Sequence, residues 1–571
     1  MHVVTTTRSY KGRVYKTHLL RRSFREDGKV CNETLGNLSH LPDHIIELVR
    51  QALKGTSFAP VGELFEVVSS RQHGDVDAVL RAMRRLNLSA LLGVEPCWEA
   101  RLVTAMVAAR IVEPHTKLAT TRWWNTRTLP EDLQIEHADE NALYSAMDWL
   151  LLQQDTIEKR LATRHLHEGC IALYDLTSSY FEGTHCSLAK RGHNRDGKAN
   201  KLQVNYGLLT DSRGCPIAVS VFEGNVNDAK TLVPEVDKLR KAFGLSKVVL
   251  VGDRGMIGQT GVDQLRGVEG TGWITALKSG QIRQLVEEGA IQMGLFDQRN
   301  LFELTHPDYP GERLVACRNA DLGRLRAIRR QELLAATEKE LAKVKAMVAR
   351  GKLKGEGEIG VRVGRVVNKY KVAKHFDLDI GPSRFSYSVK EDSVAEEAAL
   401  DGIYVIRTTV ATDEMSAADA VRNYKSLSNV ERAFRTLKTI DLKVRPIHHH
   451  LADRVRAHIF LCMLAYYVEW HMRQAWASLL FADEDQEAKA KRDPVAPAHR
   501  SEAAEQKVRT HRLEDGTEAH SFRTLLGSLG TIVRNTCRAP GNLEAPATFH
   551  MTTTPDRKQR QALELIEGIT P

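Results

Sequence analysis

The sequence predicts an α/β protein whose central sheet starts with three antiparallel strands and continues through parallel crossovers. From Cys170 onward two alternating patterns, "IALYDLTSSYF" and "KLQVNYGLLTDSRGCPIAVSVFEGN", are typical of strands, and a turn at 211–214 divides the second. The helical stretch "NDAKTLVPEVDKLRKAFG" then leads to "VVLV", an apolar run that indicates a strand buried on both faces. With a helix near 259–266, the strand "GWITAL" and a helix after the strand "GIYVIRTT", the predicted order is β-β-β-α-β-α-β-α.

Two smaller regions are predicted before this sheet. Residues 1–40 contain two strand-like runs joined at Asp27-Gly28, which is a strong signal for a β-hairpin, and they are rich in arginine and lysine. Residues 41–167 show helical periodicity, as in "EARLVTAMVAARIV". A basic N-terminal hairpin and a small helical domain therefore precede the sheet.

The pattern of the sheet is interrupted over residues 279–400. Short strand-like pieces there surround the long basic helix "LRAIRRQELLAATEKELAKVKAMVAR", and a polar stretch begins after residue 481. The domains predicted beyond residue 167 are a core in two parts, 168–278 and 401–481, a β-rich and helical insertion, 279–400, and a polar linker with a C-terminal region, 482–571.

The distribution of charge indicates a polyanionic partner. The chain of 571 residues has a formal net charge of +9. The stretch from Arg318 to Lys374 alone holds 16 lysine and arginine residues against 6 acidic ones. Basicity concentrated in one segment favours binding to nucleic acid over a uniformly solvated surface.

The sequence also predicts a cytoplasmic location. Its start, "MHVVTTTRSYKG", lacks the apolar core of a signal peptide, and its longest apolar run, "IFLCMLAYYV", is too short to cross a bilayer. The eight cysteines lie far apart with no C-x-x-C pair, which favours a reducing compartment over a disulfide framework or a zinc knuckle. No association with a membrane is expected.

Two aspartates interrupt apolar strands of the predicted core. Asp175 shares a strand face with Ile171 and Leu173, and Asp253 follows the run "VVLV". If the first and fourth strands are neighbours, the two carboxylates project close together. At a separation of about 4 Å they would repel by roughly 4 kcal/mol at an effective dielectric constant of about 20. A divalent cation relieves such repulsion, and hard oxygen ligands favour Mg²⁺ or Mn²⁺.

A third acid is expected on the helix that follows the last core strand. In "YKSLSNVERAFRTLK", Tyr424, Glu431 and Lys438 recur every seven residues. Seven residues advance an α-helix by about 700 degrees, close to two whole turns, so a continuous helix would carry all three on one face.

Each of these residues also has a purely structural interpretation. Asp253 could simply end a strand, and Asp175 could be a buried, salt-bridged acid. Ser428 and Glu431 fit the S-x-x-E capping box, in which the glutamate reaches back to a backbone amide. The run His448–His450 suggests a metal site, but three consecutive histidines cannot all face one ion, so a loop or a phosphate contact is favoured.

Together, Asp175, Asp253 and Glu431 resemble the DDE triad of the RNase H-like transposases of bacterial insertion sequences. The Tyr, Glu and Lys ladder is similar to the signature of the branch that carries a large insertion between its second Asp and its Glu. This chain has Leu427 where that signature has an arginine. The tryptophan that stacks on a flipped base in the best-known members has no counterpart in residues 279–400, where the candidates are Tyr309, Tyr370 and Tyr387.

The resemblance implies an RNase H-like core and a transposase that cuts DNA at the ends of its element and joins them to target DNA. It implies two Mg²⁺ or Mn²⁺ ions held by the three acids, and a homodimer on double-stranded DNA that carries inverted repeats, near the bacterial nucleoid. The N-terminal hairpin and helical domain would recognise the repeats. The residues expected to contact DNA are Tyr424, Lys438, Arg254, Arg435 and Arg445.

Two other functions remain open at this point. A metal-dependent nuclease on the same fold would cut DNA without joining it. A catalytically idle DNA-binding protein derived from a transposase would keep all its activity after loss of the three acids.

Overall fold

The computed structural model describes residues 1–56, 58, 65–93, 97–198, 200–297, 299–485, 487, 491–497, 499–538 and 548–571. The strands are β1 His2–Tyr10, β2 Arg13–Glu26, β3 Lys29–Asn37, β4 Glu66–Gln72, β5 Cys170–Tyr180, β6 Gln203–Asp211, β7 Pro216–Glu223, β8 Val248–Val251, β9 Thr271–Ala276, β10 Leu301–Leu304, β11 Arg313–Arg318, β12 Phe376–Gly381, β13 Arg384–Val389, β14 Ile403–Thr408, β15 Val533–Arg538 and β16 Thr548–Thr552.

Helices precede, connect and follow these strands. The α-helices are α1 Asp43–Leu53, α2 Gly74–Arg85, α3 Leu88–Leu92, α4 Trp98–Val112, α5 Lys117–Trp123, α6 Leu129–Leu133, α7 Glu140–Leu152, α8 Gln154–His165, α9 Leu232–Asp237, α10 Gln259–Arg266, α11 Ser279–Glu287, α12 Ala320–Ala349, α13 Glu356–Tyr370, α14 Glu391–Ala399, α15 Ala417–Lys425, α16 Leu427–Arg435, α17 Ala452–Ala475, α18 Glu502–Thr510, α19 Phe522–Leu529 and α20 Arg557–Glu567.

The chain divides into two compact units, and the smaller one contains residues 1–70 and 534–553. Its first sheet has the order β1-β2-β3, one strand more than the predicted hairpin. The additional turn is Lys11-Gly12, where both residues have positive φ, as at Asp27-Gly28. Such pairs form the tight type I′ turns that match the twist of antiparallel strands, so each of the two dipeptides closes a hairpin.

The larger unit, residues 71–533 and 554–571, is built on an eight-stranded mixed sheet. Its order is β10-β11-β14-β9-β8-β5-β6-β7, in which β5, β6 and β7 are antiparallel while β5, β8 and β9 are parallel. The prediction that the first and fourth core strands are neighbours is confirmed by the pairing of β5 with β8. The protein is therefore a mixed α/β structure, as predicted.

The apolar patterns explain why β5 and β8 lie at the centre. All four residues of β8 are buried, and the fully buried Tyr174 on β5 lies over Gly207 on β6. A Cβ at Gly207 would lie 2.1 Å from the hydroxyl of Tyr174, so only glycine allows the ring this close to the strand. Helix α16 contacts β5, and α17 contacts β7.

The segment 279–400 is arranged differently from the insertion that the sequence predicts. Strands β10 and β11 extend the central sheet, and β14 pairs with both β11 and β9. The remainder, residues 320–399, forms a lobe of α12, α13, the β12–β13 hairpin and α14, with its own apolar core around Val344 and Val363. The sequence shows β10 and β11 only as short strand-like pieces, because their partners are distant in sequence.

The C-terminal region also differs from the predicted flexible linker. Helix α18 lies within it and starts at Ser501, whose side chain accepts a hydrogen bond from the amide of Ala504. Helices α19 and α20 join the main core, where the indole of Trp476 donates to the carbonyl of Ala562 over 2.9 Å. The polar composition of this region does not indicate these helices, because each helix buries only a few apolar residues.

None of the helices in the described ranges combines the length and the apolar character needed to span a bilayer. All eight cysteines have free thiols.

Candidate active site

Strand register brings two of the predicted acids together. Leu173 of β5 pairs with Val251 of β8 in a parallel ladder. Asp175 lies two residues beyond this pair on β5, and Asp253 lies two residues beyond it in the turn that follows β8. The charge of Asp253 raises the pKa of Asp175, so the two carboxylates lie near each other beyond the end of β8.

Each aspartate is also held by its local backbone. Asp175 Oδ1 accepts a hydrogen bond from the amide of Leu176 over 2.8 Å. Asp253 Oδ1 accepts from the amides of Gly255 and Met256 over 2.9 and 2.8 Å, and thereby closes the turn that follows β8. The turn fixes the direction of the Asp253 carboxylate and engages one of its oxygen atoms.

The electrostatics connect these aspartates with the third predicted acid. Burial first, and then the charge of Asp253, raise the pKa of Asp175 to about 7, and the charge of Glu431 adds to the increase. The amide of Leu176 and the guanidinium of Arg195 oppose it. Because such effects fall off with distance, Glu431 belongs to the electrostatic environment of the two strand-borne acids.

The pKa of Tyr424 also responds to the charges of the three acids. Burial and then the charge of Asp253 raise the pKa of its phenol to about 12, with further contributions in the same direction from Glu431 and Asp175. Arg254 acts in the opposite direction. Tyr424 therefore lies near the same three acids. Arg254 is exposed, and its positive charge partly cancels their effect on the pKa of Tyr424.

The three carboxylates do not form a compact set of metal ligands in this structure. Within the described ranges, two groups of three side chains each bring one potential ligand atom per residue within 4.8 Å of one another. They are His165, Cys215 and His471, and Glu288, His306 and Asp308. The three acids are not such a group, and neither is the run His448–His450. The charges of Asp253 and Glu431 nevertheless both raise the pKa of Asp175.

The position of Glu431 in its helix does not fit a capping box. Helix α16 begins at Leu427 after an N-cap at Ser426 that makes no side-chain capping bond. Ser428 and Glu431 therefore both lie inside the helix, and that interpretation is wrong. The Glu431 side chain is 63% exposed, and its Oε2 lies 4.0 Å from Nη1 of Arg435. It is free to turn toward the aspartates.

The seven-residue ladder requires a continuous helix, and the structure interrupts that helix twice. Tyr424 lies in α15, which ends at Lys425, and Glu431 lies in α16, which begins at Leu427. Lys438 lies in a π-helical turn, Thr436–Ile440. A π-turn is wider than an α-turn and changes the angular position of the residues in it. Lys438 Nζ accordingly lies 3.1 Å from Oδ1 of the buried Asp196, which Arg445 also contacts.

Comparison with known proteins identifies the family. A family model described as a transposase DDE domain matches residues 167–468, more than half of the chain. The chain belongs to the DDE transposases. A second model, the N-terminal domain of the IS1634 family transposases of insertion sequences, matches residues 3–60.

This DDE transposase was also compared with curated proteins and with solved structures. No curated protein matches the chain. Among solved structures, the cryo-EM structure of a piggyBac transposase synaptic complex with hairpin DNA is similar over 80% of this chain and 77% of that one, at 8% sequence identity and a TM-score of 0.34.

Sequence reasoning missed a group of charged residues beside the acids of this transposase. Arg195 pairs with Asp228 over 2.5 Å, and its charge reaches Asp175. Asp196 accepts a hydrogen bond from the amide of Tyr180 and binds both Lys438 and Arg445. Arg195 and Asp196 lie in the aperiodic stretch between β5 and β6, whose position no pattern predicts. Two opposite charges side by side in "HNRDGK" were the only available signal.

The aromatic candidates for stacking on a base are not free in this structure. Tyr309 is buried, with the guanidinium of Arg407 over its ring. Tyr387 packs on Phe385 and donates its hydroxyl hydrogen to the carbonyl of Glu338. Tyr370 is partly buried in the core of the lobe.

Proposed function

We infer that the protein is an active transposase that cuts DNA at the ends of its insertion sequence and joins the ends to target DNA. The observation that carries this inference is the electrostatic coupling of Asp175 to both Asp253 and Glu431 at the end of β8. A structural acid gains nothing from two further carboxylates nearby, whereas phosphoryl transfer requires such a cluster.

The sheet supports an RNase H-like core. Reading β7-β6-β5-β8-β9 gives three antiparallel strands followed by two parallel ones, with Asp175 on the first strand in chain order and Asp253 two residues after the end of the fourth. Glu431 comes from the helix that follows β14 and α15, after the lobe 320–399. That order of acids is the one expected for this fold in the DDE branch with an insertion.

The donor atoms fit divalent metal ions. All three side chains offer carboxylate oxygens, which suit Mg²⁺ and Mn²⁺, and the raised pKa of Asp175 reflects an excess of negative charge that a cation would offset. Asp175, Asp253 and Glu431 would hold two such ions, which activate the attacking oxygen and neutralise charge on the leaving oxygen. Asp253 is already oriented by its turn, and Glu431 would complete the set by rotation of its exposed side chain.

The basic side chains around the acids are proposed to hold the DNA backbone. Arg254 and Arg435 are exposed and available to phosphates. Lys438 and Arg445 are engaged by Asp196, so their contact with DNA requires that this pairing open or be shared. Tyr424 is partly buried beside the acids and would contact the DNA end only at its exposed edge.

The remaining regions are proposed to bind the element. The basic N-terminal sheet, with residues 41–167, would recognise the inverted repeats, and the basic lobe would clamp the end near the acids. The partner is double-stranded DNA, and a homodimer would pair the two ends.

A joining assay tests the proposal. Full-length protein, Mg²⁺ or Mn²⁺ and duplexes that carry the inverted repeats flanking the gene should give cleaved ends and, with pre-cleaved ends, joined products. Cleavage without joining would identify a nuclease. Binding that persists without either reaction, unchanged by Asp175→Ala and Glu431→Ala, would identify a catalytically idle DNA-binding protein.

A further inference from the structure

A cluster of metal-binding side chains lies outside the three acids. His165 is the last residue of α8, Cys215 follows the turn between β6 and β7, and His471 lies in α17. Potential ligand atoms of all three lie within 4.8 Å of one another. Three elements distant in the sequence therefore contribute one ligand each to one small volume.

The geometry suits a tetrahedral ion with nitrogen and sulfur ligands. Cys215 Sγ lies 3.8 Å from Nε2 of His471. In a zinc site with Zn–S of about 2.3 Å and Zn–N of about 2.05 Å, a sulfur and a nitrogen ligand lie about 3.6 Å apart. A thiol–imidazole hydrogen bond would explain this one distance, but it gives no reason for a second imidazole beside the same sulfur.

Neighbouring side chains hold Cys215, His165 and His471 in position, as hydrogen-bonding partners of the ligands do in metal sites. The amide of Cys215 donates to Oδ1 of the buried Asp211 over 2.9 Å. The hydroxyl of Tyr467 lies 3.1 Å from Nε2 of His165, and the Tyr467 ring packs on that of His471 with centroids 4.8 Å apart. Cys215 is fully buried and His471 almost so, and this environment protects a thiolate ligand from solvent.

We propose that His165, Cys215 and His471 bind a structural Zn²⁺ ion, with a water molecule in the fourth position. A thiolate with two imidazoles is a soft ligand set that favours zinc over the magnesium expected at the acids. The ion would fasten α8 and α17 to the turn between β6 and β7.

This position gives the ion an indirect connection to Glu431. Asn429 of α16 donates to the carbonyl of Ser212 in the same turn, and Gly214 lies against the Asn429 side chain. Glu431 is two residues further along α16. A turn held by zinc would thus support the helix that carries the third acid, without zinc taking part in the reaction.

Metal analysis of the full-length protein tests the proposal. Protein purified without chelators should contain one zinc per chain by plasma mass spectrometry. Cys215→Ser and His471→Ala should weaken zinc binding by at least about tenfold, because loss of even an outer partner typically costs 10–100-fold in affinity. His306→Ala, in the exposed group with Glu288 and Asp308, is the matched control and should retain zinc, as should Asp175→Asn.

A cobalt titration of the wild-type protein avoids dependence on variants that fail to fold. Cobalt bound to this site should show the intense near-ultraviolet band of a thiolate–metal bond, and zinc should abolish it. Protein that lacks zinc and takes up neither ion would overturn the proposal. Zinc that persists in Cys215→Ser but is lost in Asp175→Asn would overturn it as well.

Discussion

Asp175 and Glu431 contribute to the same cluster of charge from opposite surroundings. Asp175 lies in a central strand, is partly buried and has its pKa raised to about 7, whereas Glu431 lies on a helix and is 63% exposed. The strand fixes its acid through backbone pairing with β6, and the helix leaves its acid free to rotate. The comparison suggests a division of labour, in which Asp175 and Asp253 define the site and Glu431 closes it.

The largest effect is expected on DNA cleavage, because the proposed mechanism needs all three acids despite their different surroundings. Asp175→Asn, Asp253→Asn and Glu431→Gln should each lower the rate of DNA cleavage by at least about 1,000-fold, which corresponds to about 4 kcal/mol. Single-turnover cleavage of an end-containing duplex measures this loss. Asp263→Asn, which changes an exposed acid on α10, should cleave at the wild-type rate.

The second prediction is that Asp175 and Glu431 differ in their effect on how the free energy of unfolding depends on pH. The pKa of Asp175 is raised from 3.8 to about 7 in the folded protein, so the folded state holds a proton that the unfolded state releases between these values. Stability should therefore fall as pH rises from about 4 to about 7, by at most about 4 kcal/mol. Asp175→Asn removes the charge and should raise stability at pH 8 in chelator while leaving it unchanged near pH 4.

Urea unfolding at both pH values measures this effect. Glu431→Gln is the matched control. The Glu431 carboxylate is exposed and keeps most of its hydration on folding, so the substitution should leave stability unchanged. Equal destabilisation by Asp175→Asn at pH 4 and pH 8 would contradict the assignment of Asp175 as an acid strained by burial and by Asp253.

A smaller effect tests the rigidity of the strands. Gly207→Ala places a methyl group against the Tyr174 hydroxyl and should lower the free energy of unfolding by about 1–3 kcal/mol through overpacking. Gly364→Ala, in α13, meets open space and should raise it by about 0.5–1 kcal/mol. Similar effects of the two substitutions would show that β5 and β6 adjust more readily than their packing indicates.

The smallest effect concerns the exposed helix. Arg435→Ala should change stability by less than about 0.5 kcal/mol, because its pairing with Glu431 at 4.0 Å is solvated. If Arg435 contacts a phosphate, the variant should bind DNA more weakly and reduce the slope of log affinity against log salt by about one. Binding titrations at several salt concentrations measure both, and an unchanged slope would exclude the contact.

The sequence predicted the pairing of the two strands next to Asp175 and Asp253, for a physical reason. Apolar runs and the order of elements indicate which strands lie side by side, so the pairing of β5 with β8 followed from pattern alone. The sequence did not predict the position of Lys438, because a π-turn changes helical phase without a signal in composition.

Other parts of the fold depend on contacts between residues far apart in the sequence. The pairing of β11 with β14 brings together segments separated by the whole lobe, and no local pattern predicts it. Asp196 is similar, since its two cationic partners come from the other end of the core. Local chemistry places a residue on an element, and only the packed chain determines what that residue meets.

The way the lobe 320–399 is attached to the sheet determines how easily the lobe can be deleted or replaced. Arg318, at the end of β11, pairs with Ile403, at the start of β14, and the amide of Asn319 donates to the carbonyl of Gly402 over 2.9 Å. The chain thus leaves and re-enters the sheet at one place. A single in-frame deletion or replacement between these residues would leave a short hairpin there, so the proposed DNA clamp could be exchanged for another while the strands of the central sheet keep their alignment.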